Sequence, residues 1–295
     1  MIKKTGYVAL IGLPNAGKST LLNHLIGQKI SITSRRPQTT RHRIHGIKTT
    51  EHGQAIFVDT PGMHDSEKRA MNRYLNRTAD SALQGVDVAV WLVDQWSWQA
   101  EYDWMLAKIK QADCPVILAV NKIDQCEDKD RLLPFLEKAS AQFDFAAIVP
   151  ISALRQINLD ALEAQIMALL PESEPIYPDD QITDRSERFM AAEIIREKLI
   201  RSLGQEVPHA ITIEIEQFKQ EGNLVRIHAI IWVEREGQKQ IVIGTDGEVM
   251  KKVGQRARED IEKLINSKVY LNLWVKVKKG WSDNERALLS LGYND

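Results

Sequence analysis

The fold is decided by Gly12-Leu13-Pro14-Asn15-Ala16-Gly17-Lys18-Ser19, which matches the pattern G-x-x-x-x-G-K-[ST]. The apolar run Tyr7-Val8-Ala9-Leu10-Ile11 precedes it, and residues 20–26 are typical of a helix start. A strand, a glycine loop and a helix in this order form a P-loop, in which backbone N–H groups surround phosphate oxygens at a helix N-terminus. We therefore predict a nucleotide phosphate site from Gly12 to Thr20. The alternative is a glycine turn before a core helix.

Several hydroxyl and carboxylate groups near this loop are candidates to bind Mg²⁺. We expect Lys18 to reach the β- and γ-phosphates and Ser19 to bind the metal. An apolar strand ends in Asp59-Thr60-Pro61-Gly62, as in the Walker-B arrangement, so Asp59 is a second metal ligand and Gly62 offers an N–H to the γ-phosphate. The polar segment 27–45 is a candidate first switch, in which Thr40 is favoured as a ligand, although spacing does not separate it from Thr39.

The residue after Gly62 bears on the hydrolysis step. Met63 stands where many small GTPases have a glutamine that orients the attacking water, and a thioether cannot do this. We expect slow intrinsic hydrolysis that depends on Lys18, Ser19, Thr40, Asp59 and Gly62. Residues 63–77 form a candidate second switch.

Base recognition is predicted by Asn121-Lys122-Ile123-Asp124, at the end of the apolar strand 116–120. Asp124 can accept hydrogen bonds from N1–H and the exocyclic amino group of guanine, and adenine has no such donor pair. Asn121 either braces the loop or meets the base edge. A later strand ends before Ser152-Ala153, where a backbone N–H is expected to meet guanine O6.

The strands and helices alternate over the first half, which predicts a doubly wound, mostly parallel α/β sheet with helices on both faces. All the motifs lie at the carboxyl ends of strands, where such folds bind ligands. The proline-rich, acidic stretch after residue 170 predicts a boundary. We expect a nucleotide-binding domain over 1–172, a linker over 173–182 and a second domain over 183–295.

The second domain is predicted to bind single-stranded RNA. A helix over 186–203 and strands over 210–218, 225–234 and 239–243 lead to Gly244-x-x-Gly247 and an amphipathic helix, the layout of a KH module. Residues 239–280 hold ten Lys/Arg against five Asp/Glu. The alternative is a strand-to-helix turn with a solvated helix face, and Asp246 would repel phosphate. The predicted contact residues are Ile243, Gly244, Thr245, Asp246, Gly247, Lys251 and Lys252.

The composition is that of an ordinary globular protein, with a formal net charge of −1 and two cysteines. This balance argues against a polyanion-binding surface over the whole chain, and the cysteine count favours a reducing compartment. No apolar run approaches the ~20 residues needed to cross a bilayer. We therefore expect a cytoplasmic protein whose membrane contact, if any, is peripheral.

Taken together, both halves resemble the Era family of bacterial GTPases over essentially the full length. The resemblance rests on the P-loop, Gln38-Thr39-Thr40-Arg41, Asp59-Thr60-Pro61-Gly62, Asn121-Lys122-Ile123-Asp124, Ile151-Ser152-Ala153, Ile182-Thr183-Asp184-Arg185, the Gly244 to Gly247 loop and Trp274-Val275-Lys276-Val277-Lys278. It implies a GTPase domain followed by an α+β type II KH domain that binds the 3′ end of small-subunit ribosomal RNA.

The resemblance also implies GTP, GDP and Mg²⁺ as ligands, a role in maturation of the 30S precursor and peripheral association with the inner membrane. Asn15 resembles the asparagine with which some related GTPases bind K⁺. We expect a monomer. Two other functions remain open: an RNA-binding assembly factor that uses GTP mainly as a structural ligand, and a GTPase whose second domain binds protein.

Overall fold

The structure is a computed structural model that describes residues 3–34, 36–63, 69–126, 132–204 and 210–293. It divides into two compact units. The first comprises Met1–Ser31, Thr40–Glu67 and Leu75–Asp184, and the second comprises Ile32–Thr39, Lys68–Tyr74 and Arg185–Asp295. Two short segments of the N-terminal half therefore pack with the C-terminal half. The predicted 173–182 linker remains a prediction.

The first unit is built on a six-stranded sheet of order β2-β3-β1-β4-β5-β6, in which only β2 is antiparallel to its neighbour. Its strands are β1 (Lys4–Gly12), β2 (Ile44–Thr50), β3 (Gly53–Asp59), β4 (Val88–Val93), β5 (Val116–Val120) and β6 (Ala147–Pro150). The inner strands are buried on both faces, as a parallel sheet covered by helices requires. The predicted α/β fold is confirmed.

Within the described residues, five helices belong wholly or mainly to this unit: α1 (Lys18–Ile26), α2 (Ala70–Ser81), α3 (Ala100–Ile109), α4 (Leu132–Ser140) and α5 (Leu159–Leu169). Tyr102 and Met105 of α3 and Phe135 of α4 pack with Trp91 of β4 in one apolar core. The carboxyl ends of the strands are left to the loops that carry the predicted motifs. The first half of α2, up to residue 74, belongs to the second unit.

The second unit has a three-stranded sheet of order β7-β8-β9, with β7 antiparallel and β9 parallel to β8. Its elements are α6 (Glu187–Ser202), β7 (Thr212–Glu221), β8 (Leu224–Val233), α7 (Glu236–Ile243), α8 (Glu248–Ile265), β9 (Lys268–Val277) and α9 (Glu285–Ser290). Ser186 caps α6 by accepting from the N–H of Phe189, which explains why the predicted helix begins there. Apolar faces of α6 and α8 pack against the sheet.

The expected strand over 239–243 is wrong, because these residues form the second half of α7. The Gln238 side chain accepts the main-chain N–H groups of Glu234 and Arg235 and so closes the first turn of a helix. Only Val242 of the apolar run is buried, whereas Ile241 is half exposed. The run of three apolar residues therefore reflects one buried helix position and not a buried strand, and the glycine loop joins two helices.

Candidate functional site

The P-loop glycines occupy backbone conformations that a side chain would disturb. Gly17 has φ +103°, and a Cβ there would lie 2.2 Å from Nδ2 of Asn121. A Cβ on Gly12 would lie 2.5 Å from the carbonyl oxygen of Leu92. The loop passes so close to β4 and to the Asn121 loop that only glycine fits at these two positions.

Lys18 is held at the mouth of this loop by main-chain oxygens. Its Nζ donates to the carbonyls of Gly12 and Leu13, both at 2.9 Å. Burial lowers the pKa of Lys18 to about 8, although Asp59 and Asp94 oppose the shift. An anion that enters the loop would favour the charged ammonium, so the site takes up phosphate and a proton together above that pH.

A cluster of oxygen atoms lies beside Lys18. Ser19 Oγ is 2.8 Å from Oγ1 of Thr40 and donates to Oδ2 of Asp59 at 2.7 Å. Ser31 Oγ donates to the same carboxylate oxygen at 2.8 Å. Burial raises the pKa of Asp59, and the hydrogen bonds from Ser19 and Ser31 oppose this effect. Within the described residues, the buried Oδ1 of Asp59 has no hydrogen-bond partner.

This donor set fits Mg²⁺, which prefers hard oxygen ligands and retains several waters. The unpartnered carboxylate oxygen and two hydroxyls supply such ligands. No cluster of three or more His, Cys, Asp or Glu side chains occurs in the described parts of the chain, so a soft-metal site of that kind is not seen there.

The chain after Asp59 runs against the P-loop. Thr60 Oγ1 donates to the carbonyl of Leu10 at 2.9 Å, and a Cβ on Gly62 would lie 2.7 Å from the backbone of Pro14. Met63 is buried, 1% exposed, so its thioether packs in the core. Residues 64–68 of the predicted second switch lie outside the described residues.

Asn121 connects the phosphate loop to the base-binding loops. Its Nδ2 donates to the carbonyl of Ala16 at 2.7 Å, and its Oδ1 accepts the N–H of Ala153 at 2.9 Å. Both ends of the amide are therefore engaged with backbone. These contacts correspond to the first of the two roles considered for Asn121, in which its side chain braces the loop.

Asp124 follows in a single 3-10 turn, Ile123–Gln125. Its Oδ1 accepts from Ser152 Oγ at 2.6 Å, which ties the two base-binding loops together. Lys122 has φ +66° and forms an ion pair with Asp94, just beyond β4. Sequence reasoning missed Asp94 and Ser31 as supporting residues. The position of Asp94 after a parallel strand is the signal that could have identified it.

The predicted RNA-binding loop projects from the second unit. Gly244 has φ +75° and ψ +171°, and Asp246 and Gly247 have left-handed conformations with φ +50° and +76°. Thr245, Asp246, Lys251 and Lys252 are exposed, and Ile243 is partly buried. No described carboxylate lies within ion-pair distance of either lysine. The loop thus presents bare backbone beside two cations at the start of α8.

Two family models match the chain. A model described as 50S ribosome-binding GTPase matches residues 7–122, and a KH domain model matches residues 206–282. Curated relatives named GTPase Era, from Marinobacter nauticus and from Pseudomonas aeruginosa PAO1, are each 58% identical over 292 residues, which is 99% of this chain and 96% of the relative.

Solved structures of Era match the whole chain as well. An Aquifex aeolicus Era variant bound to GDP·AlF4− superimposes with a TM-score of 0.96 at 38% identity and covers 99% of this chain and all of that one. Era in complex with MgGDPNP and nucleotides 1506–1542 of 16S ribosomal RNA has a TM-score of 0.95, 39% identity and the same coverage. The two halves of this chain thus occur together in both structures.

Proposed function

Because the chain belongs to the Era family of GTPases, we propose that it couples GTP binding to recognition of the 3′ end of small-subunit ribosomal RNA and acts on the 30S precursor during maturation. The observation that carries this proposal is the presence in one chain of a braced P-loop site and a glycine loop with two exposed lysines. The Era structure that holds both MgGDPNP and a 16S fragment supports the pairing.

We assign guanine selection to Asp124, whose second carboxylate oxygen and unshared lone pairs would face the base while Ser152 fixes its rotamer. Asn121 keeps the loop in place, and Lys122, Ile123 and Ala153 complete the pocket. A site built on such paired hydrogen bonds rejects a base that lacks the donors, because the carboxylate would be left desolvated and unpaired.

Ser19, Thr40 and Asp59 would hold Mg²⁺, which supplies charge neutralisation at the β- and γ-phosphate oxygens. Burial penalises the charged form of Asp59 and so raises its pKa when no cation is near. A cation bound beside this carboxylate would offset that penalty. Ser31 and Ser19 both donate to Oδ2 of Asp59 and so fix the orientation of the carboxylate.

Hydrolysis in this site rests on positioning and charge. Lys18 carries the positive charge toward the γ-phosphate, and the N–H of Gly62 is the expected donor from the Asp59 loop. Met63 points into the core and offers no base, so intrinsic turnover is expected to be slow.

The glycine loop would receive the backbone of single-stranded RNA. Gly244 and Gly247 remove side chains from the approach, and Lys251 and Lys252 would pair with phosphates. Asp246 is exposed in the same loop and would weaken the phosphate contact unless it reads a base edge.

Three further features complete the proposal: K⁺ bound near Asn15 beside the phosphates, peripheral association with the inner membrane and a monomeric state. Equal hydrolysis rates in K⁺ and Na⁺ buffers would remove the first. No helix in the described part of the chain is long and apolar enough to span a membrane. Vesicle sedimentation tests the membrane association.

Charge reversal on α8 tests the RNA assignment. Lys251→Glu with Lys252→Glu is expected to lower affinity for a 16S 3′-end RNA by about tenfold or more while leaving GTP turnover without RNA unchanged. Lys263→Glu, an exposed lysine on the same helix far from the glycine loop, is the matched control. Equal RNA affinities for the unmodified protein, the double variant and the Lys263→Glu control would instead favour a second domain that binds protein.

A further inference from the structure

Asn23 of α1 lies outside every predicted motif and binds the stretch of chain that follows this helix. Its Oδ1 accepts the main-chain N–H groups of Ile30 and Ser31, both at 2.9 Å, and its Nδ2 donates to the carbonyl of Ser31 at 2.8 Å. The two N–H groups identify the oxygen end of the amide, because only the oxygen can accept. Both main-chain polar groups of Ser31 are therefore bound by one side chain.

Burial fixes Ser31 further. Ser31 and the neighbouring Ile30 are each 1% exposed, and Ile30 packs against Gly46 of β2, where a Cβ would lie 2.8 Å from Cδ1 of Ile30. The hydroxyl is the remaining polar group of Ser31, and its Oγ donates to Oδ2 of Asp59 at 2.8 Å. Asn23 thus reaches the Asp59 carboxylate through one intervening residue.

Helix α1 therefore acts on Asp59 by two routes. Ser19 and Asn23 are four residues apart, so they lie one turn apart on the same face of the helix. Ser19 donates to Asp59 Oδ2 directly, at 2.7 Å, and Asn23 brings the Ser31 hydroxyl to the same oxygen. The other oxygen, Oδ1, is buried without a hydrogen-bond partner among the described residues and is the one available to a cation or its water.

The second donor matters because a carboxylate turns easily about its last bond. The terminal torsion of an aspartate side chain is broad and roughly twofold, unlike the sharply staggered torsions between tetrahedral carbons. One hydrogen bond fixes the distance of Oδ2 from its donor, whereas two donors from different segments also fix the plane of the group. Removing such a hydrogen bond to a metal-binding side chain typically lowers metal affinity by about 10–100-fold.

We propose that Asn23 is a positioning residue for Mg²⁺: it fixes Ser31, whose hydroxyl sets the Asp59 carboxylate so that Oδ1 is presented to the metal or to a water bound to it. This inference rests on the proposed role of Asp59 as a metal ligand. Asn23, Ser31 and Asp59 all belong to the first unit. Helix α1 then supplies the metal site with a second contribution besides the hydroxyl of Ser19.

Three variants test the proposal: Asn23→Ala, Ser31→Ala and their combination. Calorimetry measures GDP affinity in saturating Mg²⁺ and in EDTA, and the ratio of the two affinities reports the contribution of the metal. Ser31→Ala should lower this ratio by about tenfold and Asn23→Ala by about threefold to tenfold, while GDP affinity in EDTA changes by less than about twofold. Because Asn23 acts through Ser31, the double variant should have the same ratio as Ser31→Ala.

Thr5→Val is the matched control, because it also removes a buried hydroxyl of the first unit, one without a hydrogen-bond partner among the described residues. It should leave the ratio unchanged. Amide hydrogen exchange of the nucleotide-free protein supplies a readout that needs no metal. Asn23→Ala should lower the protection of the Ile30 and Ser31 amides, whereas Ser31→Ala should leave that of Ile30 unchanged. If Asn23→Ala does not fold, Asn23→Asp carries the test with an expected loss of about threefold in the ratio, because it keeps both acceptor contacts and loses the donor to the Ser31 carbonyl.

Equal ratios in Ser31→Ala, Thr5→Val and the unmodified protein would overturn the proposal. A double variant in which the two single losses multiply would overturn it as well, because Asn23 would then not act through Ser31. A fall of both GDP affinities by the same factor would show a merely structural role. Asp59→Asn separates the two claims. If it lowers the ratio and Ser31→Ala does not, the positioning role fails; if it leaves the ratio unchanged, the metal role of Asp59 fails and the inference fails with it.

Discussion

Replacing Gly17 with alanine tests the geometry that joins the phosphate loop to the base-binding loops. The new Cβ would lie 2.2 Å from Nδ2 of Asn121, at a residue whose φ is +103°. The backbone conformation costs about 1–3 kcal/mol for a residue with a side chain. The Asn121 amide would have to move, which breaks its hydrogen bonds to Ala16 and Ala153 at about 0.5–1.5 kcal/mol each.

The expected loss in the free energy of unfolding for Gly17→Ala is therefore about 2–6 kcal/mol, together with a loss of GDP affinity of at least about a hundredfold. Urea denaturation and calorimetric GDP titration measure the two quantities. Gly27→Ala is the matched control, because Gly27 is also left-handed, with φ +77°, but has nothing within 4 Å of its Cβ position. That control should cost only about 1–2 kcal/mol. Equal losses in the two variants, or normal GDP affinity in Gly17→Ala, would refute the bracing role of Asn121.

Three more predictions concern single residues. The pKa of Lys18 is about 8 without phosphate, so GDP affinity should fall by up to about tenfold per pH unit above that value. A titration series from pH 7 to 9.5 should show this fall in the unmodified protein and a flatter pH dependence in Lys18→Met. Gly244→Ala should destabilise the chain more than Gly247→Ala in thermal unfolding, because only the first Cβ would meet Val249, at 2.5 Å. Asp124→Asn should weaken GTP binding by about a hundredfold or more and confer binding of xanthosine triphosphate, whose C2 carbonyl can accept from the new amide; competition titration with both nucleotides shows whether it does.

The nucleotide half was predictable because its chemistry lies in short runs at strand ends. Gly12 to Ser19, Asp59 and the Asn121 to Asp124 loop each follow an apolar strand, and parallel strands end at one edge of the sheet. Local sequence therefore determined both the fold and which motifs meet. The family resemblance added the type II KH assignment and the 3′ end of small-subunit ribosomal RNA as the expected target.

Other features depend on contacts between residues far apart in the chain. Nothing in the apolar run Ile241 to Ile243 shows that these residues belong to a helix, because the first-turn hydrogen bonds are donated to the Gln238 side chain by the main-chain N–H groups of Glu234 and Arg235. The burial of Glu193, Arg196 and Glu197 likewise depends on a segment more than 150 residues earlier in the chain. The helical pattern of apolar residues in α6 predicts one buried face. It does not predict that the face carrying Glu193, Arg196 and Glu197 is buried as well.

The central claim is that one chain couples GTP hydrolysis to small-subunit RNA. The most direct measurement is GTP turnover by the full chain with and without a short single-stranded RNA that matches the 16S 3′ end, with a scrambled RNA and Asp124→Asn as controls. The account predicts stimulation by the matching RNA only, and loss of GTP turnover in Asp124→Asn. Tight binding of the matching RNA without stimulation would contradict the coupling and favour an assembly factor that uses GTP as a structural ligand, whereas no binding would contradict the RNA assignment itself.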